Sequence, residues 1–182
     1  MMQDDIERIL ISEEEIRSRI LELGKQISEE YAGKVPVFVG VLRGVIIFFA
    51  DMIRAVDLPC ELDLIAVSSY GGGTVSSGKV TLRKDVSLDL EGRDVIVLED
   101  IIDSGLTLRW TIDHILSKNP ASLKVCALLD KPSRREVAVS ADYVGFTIPN
   151  EFVVGFGLDF NDRYRNLPFV GVLKPEVYEN TK

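Results

Sequence analysis

The chain has 182 residues, of which 46% are hydrophobic, and this is enough for one globular domain with a single core. A formal net charge of −8 argues against a broad nucleic-acid-binding surface. The two cysteines, Cys60 and Cys126, have neither CxxC nor Cys/His spacing, so we expect reduced core thiols instead of a disulfide or a zinc site. The acidic N-terminus does not resemble a signal peptide and no run of about 18 apolar residues occurs, so we expect a cytoplasmic protein without membrane contact.

The first part of the chain alternates helix and strand patterns. Ser12 followed by Glu15 predicts a capping box, which opens a helix that Gly33 ends. The apolar run 35–42 predicts a buried strand, and the run 45–56 has the length and spacing of a helix. We therefore expect a strand-turn-helix unit in this region.

A segment rich in glycine and serine interrupts the pattern. The run 62–67 predicts a strand, and residues 68–78 follow it with few order-favouring side chains, so we expect this segment to be mobile when no ligand is bound. Ser69 and Tyr70, at its start, are candidates for a lid that closes over reacting groups and excludes water.

The remaining strand patterns define the fold class. Two weak strand patterns and three stronger ones follow, at 80–82, 86–90, 95–98, 124–129 and 143–146. Strands that alternate with helices predict an α/β fold, with a mainly parallel twisted sheet flanked by helices.

We expect residues 1–182 to form a single domain. Its core would span about 36–148. The chain looks irregular from about Pro149, and we expect it to join the N-terminal helix as a small hood over the carboxyl edge of the sheet, made of 1–35 and 149–182.

The segment 95–108, VIVLEDIIDSGLTL, is the most informative stretch. A buried strand delivers Glu99 and Asp100 to its carboxyl end, where open α/β sheets bind ligands. The turn 103–107 then supplies hydroxyls and backbone N–H groups just before a helical pattern, which suits a phosphate. The two carboxylates can accept hydrogen bonds from a sugar diol, while the turn can hold a phosphate. Together they indicate a ribose phosphate as ligand.

This segment resembles the phosphoribosyl-pyrophosphate (PRPP) motif of type I phosphoribosyltransferases, in particular their hypoxanthine-guanine branch. Four further segments resemble that family's pattern in order and approximate spacing: VLRG at 41–44, SSYG at 68–71, LDKP at 129–132 and FVVGFGLD at 152–159. The resemblance implies the type I phosphoribosyltransferase fold. It also implies transfer of a phosphoribosyl group from PRPP to hypoxanthine or guanine, giving IMP or GMP and pyrophosphate.

The resemblance assigns roles around the ribose. Glu99 and Asp100 would hold the 2′ and 3′ hydroxyls, directly or through Mg²⁺ and water, and would favour positive charge on the sugar. Asp103 would accept the proton of purine N7 as general base. The 5′-phosphate would lie on the turn formed by Asp103, Ser104, Gly105, Leu106 and Thr107. Leu106 departs from relatives that carry lysine there, which leaves phosphate binding more dependent on backbone dipoles.

The resemblance also assigns the leaving group. Arg43 and Gly44 match the family's pyrophosphate loop, which often contains a non-proline cis peptide just before the basic residue. Arg165 is the second pyrophosphate candidate, and Arg163 is expected to be a surface charge.

The purine pocket would contain Lys131, Phe152, Val153 and Asp159. Lys131 would donate to the purine O6, which selects 6-oxopurines over adenine because adenine presents a donor there. Phe152 would stack on the base, the Val153 backbone would read its edge, and Asp159 would also be a Mg²⁺ ligand beside Glu99 and Asp100.

Each motif also has a plain structural interpretation. An acidic pair at a strand end is often only solvated, and the aspartate of an isolated DSG turn commonly caps the following helix. Arg43 could be a strand-terminal arginine facing water, and an isolated Phe-Val-Val is usually a core strand.

Other functions remain open from the sequence. A xanthine-preferring enzyme or another nucleobase phosphoribosyltransferase would keep most of these motifs. A phosphoribosyltransferase-like regulator that binds RNA would need a basic face, for which Lys131, Arg134 and Arg135 are the available cluster. A receiver-type domain with Asp103 as phosphoacceptor would have no use for the glycine-rich segment. The resemblance implies small-molecule substrates and a homodimer or homotetramer.

Overall fold

The computed structural model describes residues 2–69 and 80–179. It contains nine strands and four α-helices in this described part: β1 (Ile6–Ile11), α1 (Glu13–Glu30), β2 (Val37–Leu42), α2 (Ile46–Ala55), β3 (Glu61–Ser69), β4 (Val80–Lys84), β5 (Asp94–Ile102), α3 (Leu106–Leu116), β6 (Ser122–Asp130), β7 (Tyr143–Thr147), β8 (Val153–Val154), β9 (Val170–Leu173) and α4 (Pro175–Glu179). Short 3₁₀ turns lie at Met2–Asp5 and Pro132–Arg134.

The larger sheet has six strands in the order β4-β3-β2-β5-β6-β7. The pairs β2/β3, β2/β5, β5/β6 and β6/β7 are parallel, and only β4 runs antiparallel to its neighbour. Residues 37–41 and 95–99 are buried on both faces, as expected for strands covered by helices on each side. The predicted mainly parallel α/β sheet is therefore confirmed.

Helices cover the two faces of this sheet and create two cores. Helices α1 and α2 pack over Phe38, Ile96 and Leu98, whereas α3 packs over Val39 and Val97 on the opposite face. The predicted capping box opens α1, since the Glu15 N–H donates to Ser12 Oγ at 3.3 Å and the Ser12 N–H donates to Glu15 Oε2 at 2.8 Å.

The sheet opens where β2 and β5 separate. These strands lie side by side only as far as Gly40 and Leu98, although β5 continues to Ile102 beside β6. The chain leaves β2 toward β3 on one side and reaches β5 on the other, so the gap is the topological switch point at which open α/β sheets bind ligands. Glu99 and Asp100 occupy β5 immediately beyond the last pair.

A second sheet of three strands, in the order β1-β9-β8, combines the N-terminal and C-terminal parts of the chain. The prediction that the N-terminal helix belongs to this hood was wrong. Helix α1 packs against α2 and β7 and so flanks the larger sheet. The N-terminal contribution to the small sheet is β1, which the sequence analysis did not predict. Residues 153–154 and 170–173, expected to be irregular, form its other two strands.

The structure describes only the first residues of the predicted lid segment, 68–78. Ser69 ends β3, and Tyr70 with most of the glycine-rich segment lies outside the described residues. Within the described ranges, no helix is long and apolar enough to span a bilayer.

A buried carboxylate, that of Asp63, holds the segment that follows β4. Asp63, on β3, accepts hydrogen bonds from the N–H groups of Leu64, Ser87 and Leu88 at 2.7, 2.5 and 2.8 Å, and Lys84 Nζ lies 3.3 Å away. Burial alone would raise the pKa of Asp63, but these hydrogen bonds hold it below its usual value.

This contact explains a wrong prediction. Residues 86–90 were expected to form a weak strand, but the segment is irregular because the backbone N–H groups of Ser87 and Leu88 turn toward Asp63 instead of a neighbouring strand. The carboxylate thereby fixes the position at which β4 leaves the sheet.

We predict that Asp63→Asn lowers the free energy of unfolding by about 2 kcal/mol at pH 7, because Asn presents an NH₂ donor toward backbone donors. Urea denaturation measures this, with the exposed Asp113→Asn as control. Because a lowered pKa stabilises the fold only while the group is ionised, the difference should shrink as the pH falls below the ordinary carboxyl range. A free energy of unfolding of Asp63→Asn equal to that of the parent at pH 7 would contradict the structural role of Asp63.

Candidate active site

Two adjacent carboxyl groups lie at the switch point. Glu99 is only 7% exposed, and its Oε2 has no hydrogen-bond partner among the described residues. Burial and the neighbouring charge of Asp100 raise the pKa of Glu99 well above its usual value. Burial also raises the pKa of Asp100 to about 6, although the Ile101 N–H donates to its Oδ1 at 2.8 Å. Both groups therefore bind a proton more tightly than ordinary carboxyl groups do.

The turn after β2 packs directly on the doublet. A Cβ at position 44 would lie 1.7 Å from Asp100 Oδ2, so only glycine fits there. The peptide bond between Leu42 and Arg43 is cis, a feature that the sequence left open. The Arg43 guanidinium lies 2.8 Å from Asp162 Oδ1 and is largely exposed to solvent.

A second arginine approaches from the loop after β8. Arg165 donates to the Gly157 carbonyl at 2.8 Å, and its Nη2 lies 2.7 Å from Asp159 Oδ1 and 3.2 Å from Asp162 Oδ1. Its charge also lowers the pKa of Asp100, against the effect of burial. A Cβ at Gly157 would lie 2.0 Å from the Gly44 carbonyl oxygen, so the two turns are in contact.

The predicted phosphate turn leads into α3. Gly105 is the N-cap residue with a φ of 86°, a left-handed conformation that glycine adopts without strain. Gly105 has no side chain to cap the helix, so among the described residues only the Leu106 N–H of the first turn has a side-chain partner, and the following N–H groups remain available to an anion. Ser104 Oγ accepts from the Leu106 N–H at 3.4 Å, and the Thr107 side chain lies on the first turn.

Two cavities meet at the doublet. The larger, about 630 Å³, is lined by the turn 41–44, by Arg83 and by Asp159 and Arg165. The smaller, about 230 Å³, is lined by the phosphate turn, residues 103–105. Glu99, Asp100 and Thr107 line both. Because they share these residues, the two cavities adjoin at the doublet. We call them together the groove, with arginines lining the larger cavity and the N-terminus of α3 lining the smaller one.

Asp103 is held by two arginines from the segment after β6. The Arg134 Nε lies 3.3 Å from Asp103 Oδ1, and Arg135 donates to the Asp103 carbonyl at 2.8 Å. Arg135 also forms an ion pair with Asp130 at the end of β6. The Asp103 side chain is half exposed, so it remains accessible to a ligand in the groove.

Of the predicted purine-pocket residues, only Asp159 lines the larger cavity. Lys131 is 7% exposed and donates to the Glu151 carbonyl at 2.9 Å, and burial lowers the pKa of its ammonium. Phe152 stacks on Tyr178 of α4 at 4.8 Å, whereas Val153 pairs with Val172. Asp159, by contrast, lines the larger cavity with Arg165.

Mg²⁺ chemistry fits the carboxyl groups of the groove. Glu99 has a buried oxygen that no described residue contacts by a hydrogen bond, and carboxylates are the protein ligands that Mg²⁺ prefers. Within residues 2–69 and 80–179, however, no three acidic, histidine or cysteine side chains converge on one point. Asp159 is paired with Arg165 and does not complete a cluster with Glu99 and Asp100. A bound ion would therefore take most of its ligands from substrate and water.

The sequence analysis missed three features of the groove. Arg83 and Ser68 line the larger cavity, and Arg134 contacts Asp103. The strand pairing of β3 with β4 could have indicated Arg83, but the contact of Arg134 with Asp103 joins residues 31 positions apart and has no local signal.

The fold and the groove are typical of α/β proteins that bind a ligand at a topological switch point. The family model described as "Phosphoribosyl transferase domain" matches residues 3–161. Because this match spans most of the sequence, the chain belongs to that family.

Individual relatives agree. The chain is 51% identical to the hypoxanthine-guanine phosphoribosyltransferase of Bacillus subtilis, over 99% of this chain and 100% of that protein. It is 53% identical, over 97% of its length, to the bifunctional protein TilS/HprT of Listeria innocua, but spans only 27% of that longer protein. A crystal structure of a hypoxanthine phosphoribosyltransferase from Staphylococcus aureus superposes with a TM-score of 0.94 at 45% identity, covering 98% of this chain and 97% of that one.

We predict that the ligand-free protein loses stability as the pH rises from 3.8 through about 6, because Asp100 binds a proton more tightly when folded. Glu99→Gln should raise the free energy of unfolding at pH 8 by about 1–2 kcal/mol, since it removes a buried charge. Urea denaturation at pH 5 and pH 8 measures both effects. The exposed Glu91→Gln should change neither value, and a Glu99→Gln variant that is less stable than the parent at pH 8 would refute the buried-acid interpretation.

Proposed function

We propose that this chain is a purine-salvage transferase that converts hypoxanthine or guanine and PRPP into IMP or GMP and pyrophosphate. One observation carries the proposal: a single groove presents arginines, two carboxyl groups and a free helix N-terminus in that order. PRPP has the same order of groups, with pyrophosphate at C1, a diol in the middle and a phosphate at C5. The relatives named for this activity support the assignment of the base.

In this reaction the bond from C1 to pyrophosphate breaks while a bond from C1 to purine N9 forms. Positive charge develops on the sugar, and Glu99 and Asp100 would stabilise it through the ribose hydroxyls. The turn 103–107 would hold the 5′-phosphate, with Ser104 and Thr107 hydroxyls beside backbone N–H groups and Gly105 allowing close approach. Mg²⁺ on the pyrophosphate, contacted by Glu99, Asp100 or Asp159, would neutralise negative charge on the leaving group.

Arg43, Gly44 and Arg165 would bind the pyrophosphate. Both arginines line the larger cavity, and Arg43 is paired with Asp162 while Arg165 is paired with Asp159. A pyrophosphate oxygen can replace a carboxylate oxygen in such a pair without leaving the arginine unpaired. The lid residues Ser69 and Tyr70 would close over this end of the groove.

Asp103 would take the proton from purine N7 as N9 attacks. The ion pair with Arg134 orients the carboxylate, which a general base requires. Helix capping is not its structural role, because α3 has no side-chain cap and its N-cap is Gly105.

Lys131 would select the base. Its buried ammonium has one hydrogen bond among the described residues, to Glu151, so a purine O6 would supply a further acceptor. Adenine would place an amino group against it and leave buried donors unpaired, at a cost of several kcal/mol. Phe152 would stack on the base and the Val153 backbone would contact its edge. A xanthine-preferring enzyme is the second candidate, because xanthine carries the same O6 acceptor.

The RNA-binding alternative is disfavoured by the same contacts. Lys131 is buried, Arg134 is paired with Asp103 and Arg135 is paired with Asp130, so the available basic cluster does not form a free surface. The net charge of −8 points in the same direction.

We further propose that residues 1–182 act as one phosphoribosyltransferase domain, that the protein is cytoplasmic, and that it assembles as a homodimer or homotetramer. Its partners would be small-molecule substrates, without nucleic acid or membrane.

We predict nucleotide formation when the protein is mixed with PRPP, Mg²⁺ and hypoxanthine or guanine, and none with adenine or uracil. Chromatography of the products measures this for each base separately. Activity with adenine alone would overturn the role of Lys131, and failure with every 6-oxopurine would overturn the proposed function.

We predict that Asp103→Asn lowers kcat by about 100-fold, because the amide cannot accept the purine proton. The affinity for PRPP should change little, since the backbone of the turn is retained. The exposed Asp113→Asn on α3 is the matched control and should keep full activity. A kcat for Asp103→Asn within about threefold of the parent would exclude general-base catalysis by Asp103, since that role contributes at least about 100-fold.

A further inference from the structure

A third arginine contributes to the wall of the larger cavity. Arg83 lies on β4 and lines this cavity together with Arg43 and Arg165. Its Nε donates to Ser68 Oγ at 3.1 Å, and Ser68 also lines the cavity.

A β-bulge accounts for the position of Arg83. In the antiparallel pair of β3 and β4, Leu82 pairs with Val67 and Lys84 pairs with Ala66. Arg83 therefore has no partner residue across the ladder. Bulges next to active sites redirect a side chain, and this one places the guanidinium beside Ser68 at the cavity wall.

The pairing state of Arg83 distinguishes it from the other cations of the region. Arg43 is paired with Asp162, Arg165 is paired with Asp159, and Lys84 is bound to the Leu64 carbonyl and lies near Asp63. Across the described ranges, Arg83 has no carboxylate partner and is held only by a neutral hydroxyl. An incoming anion thus has no ion pair to break at this side chain.

We propose that Arg83 is a third binding residue for the pyrophosphate group, an inference that rests on the proposed function. Arg43 and Arg165 would contact this group from the β2 turn and from the loop after β8, and Arg83 would contact it from β4. Its guanidinium offers a fork of N–H donors that suits phosphate oxygens.

The test measures pyrophosphate binding separately from 5′-phosphate binding. Arg83→Gln should raise the KM for PRPP and the Kd for magnesium pyrophosphate by about tenfold, because one charge-assisted contact is lost. The Kd for IMP, which carries only the 5′-phosphate, and the KM for hypoxanthine should stay within about twofold. Arg83→Lys should give an intermediate value, since it keeps the charge and loses the fork.

The control is Arg54→Gln, on α2, because Arg54 is exposed and lines neither cavity. An active parent whose Arg83→Gln variant binds pyrophosphate normally would overturn this inference alone. Equal weakening of IMP and pyrophosphate would also overturn it, because Arg83 would then only stabilise β4. A parent protein that makes no nucleotide from PRPP and any 6-oxopurine would instead refute the proposed function.

Discussion

The groove depends on two carboxyl groups held out of water at the place where β2 and β5 separate. Glu99 and Asp100 have raised pKa values because burial disfavours their charges, and Glu99 Oε2 has no hydrogen-bond partner in the described part of the chain. Such an arrangement destabilises the ligand-free fold unless something satisfies it. A ribose diol or a cation would satisfy these groups, so ligand binding should offset the destabilisation that the buried doublet causes.

Close backbone contacts keep the surrounding groups in place. Gly44 allows the β2 turn to touch Asp100, and Gly157 allows the loop after β8 to touch Gly44. Larger side chains at these positions would separate the two turns that carry Arg43 and Arg165. The close approach of the two turns at the anion-binding end therefore requires glycine at positions 44 and 157.

Much of this could be predicted from the sequence because the signals are local. The run 95–108 contains its strand, doublet, turn and helix start in one continuous segment, and the capping box of α1 is equally self-contained. Strand β1 was missed because its partner, β9, lies more than 150 residues away in sequence and the segment IERILI is only weakly alternating. The hydrogen bond from the Leu88 N–H to Asp63 and the β-bulge at Arg83 also join segments that are separate in sequence, and no local pattern predicts them.

The central claim is that one phosphorylated sugar spans the groove, with its diol on the doublet. A crystal structure of the protein with PRPP and Mg²⁺ tests this most directly. We predict ribose hydroxyls or the ion in contact with Glu99 and Asp100, the 5′-phosphate on the turn before α3, and the pyrophosphate between the arginines of the larger cavity. A sugar bound elsewhere, or a doublet that contacts neither hydroxyl nor ion, would contradict the account.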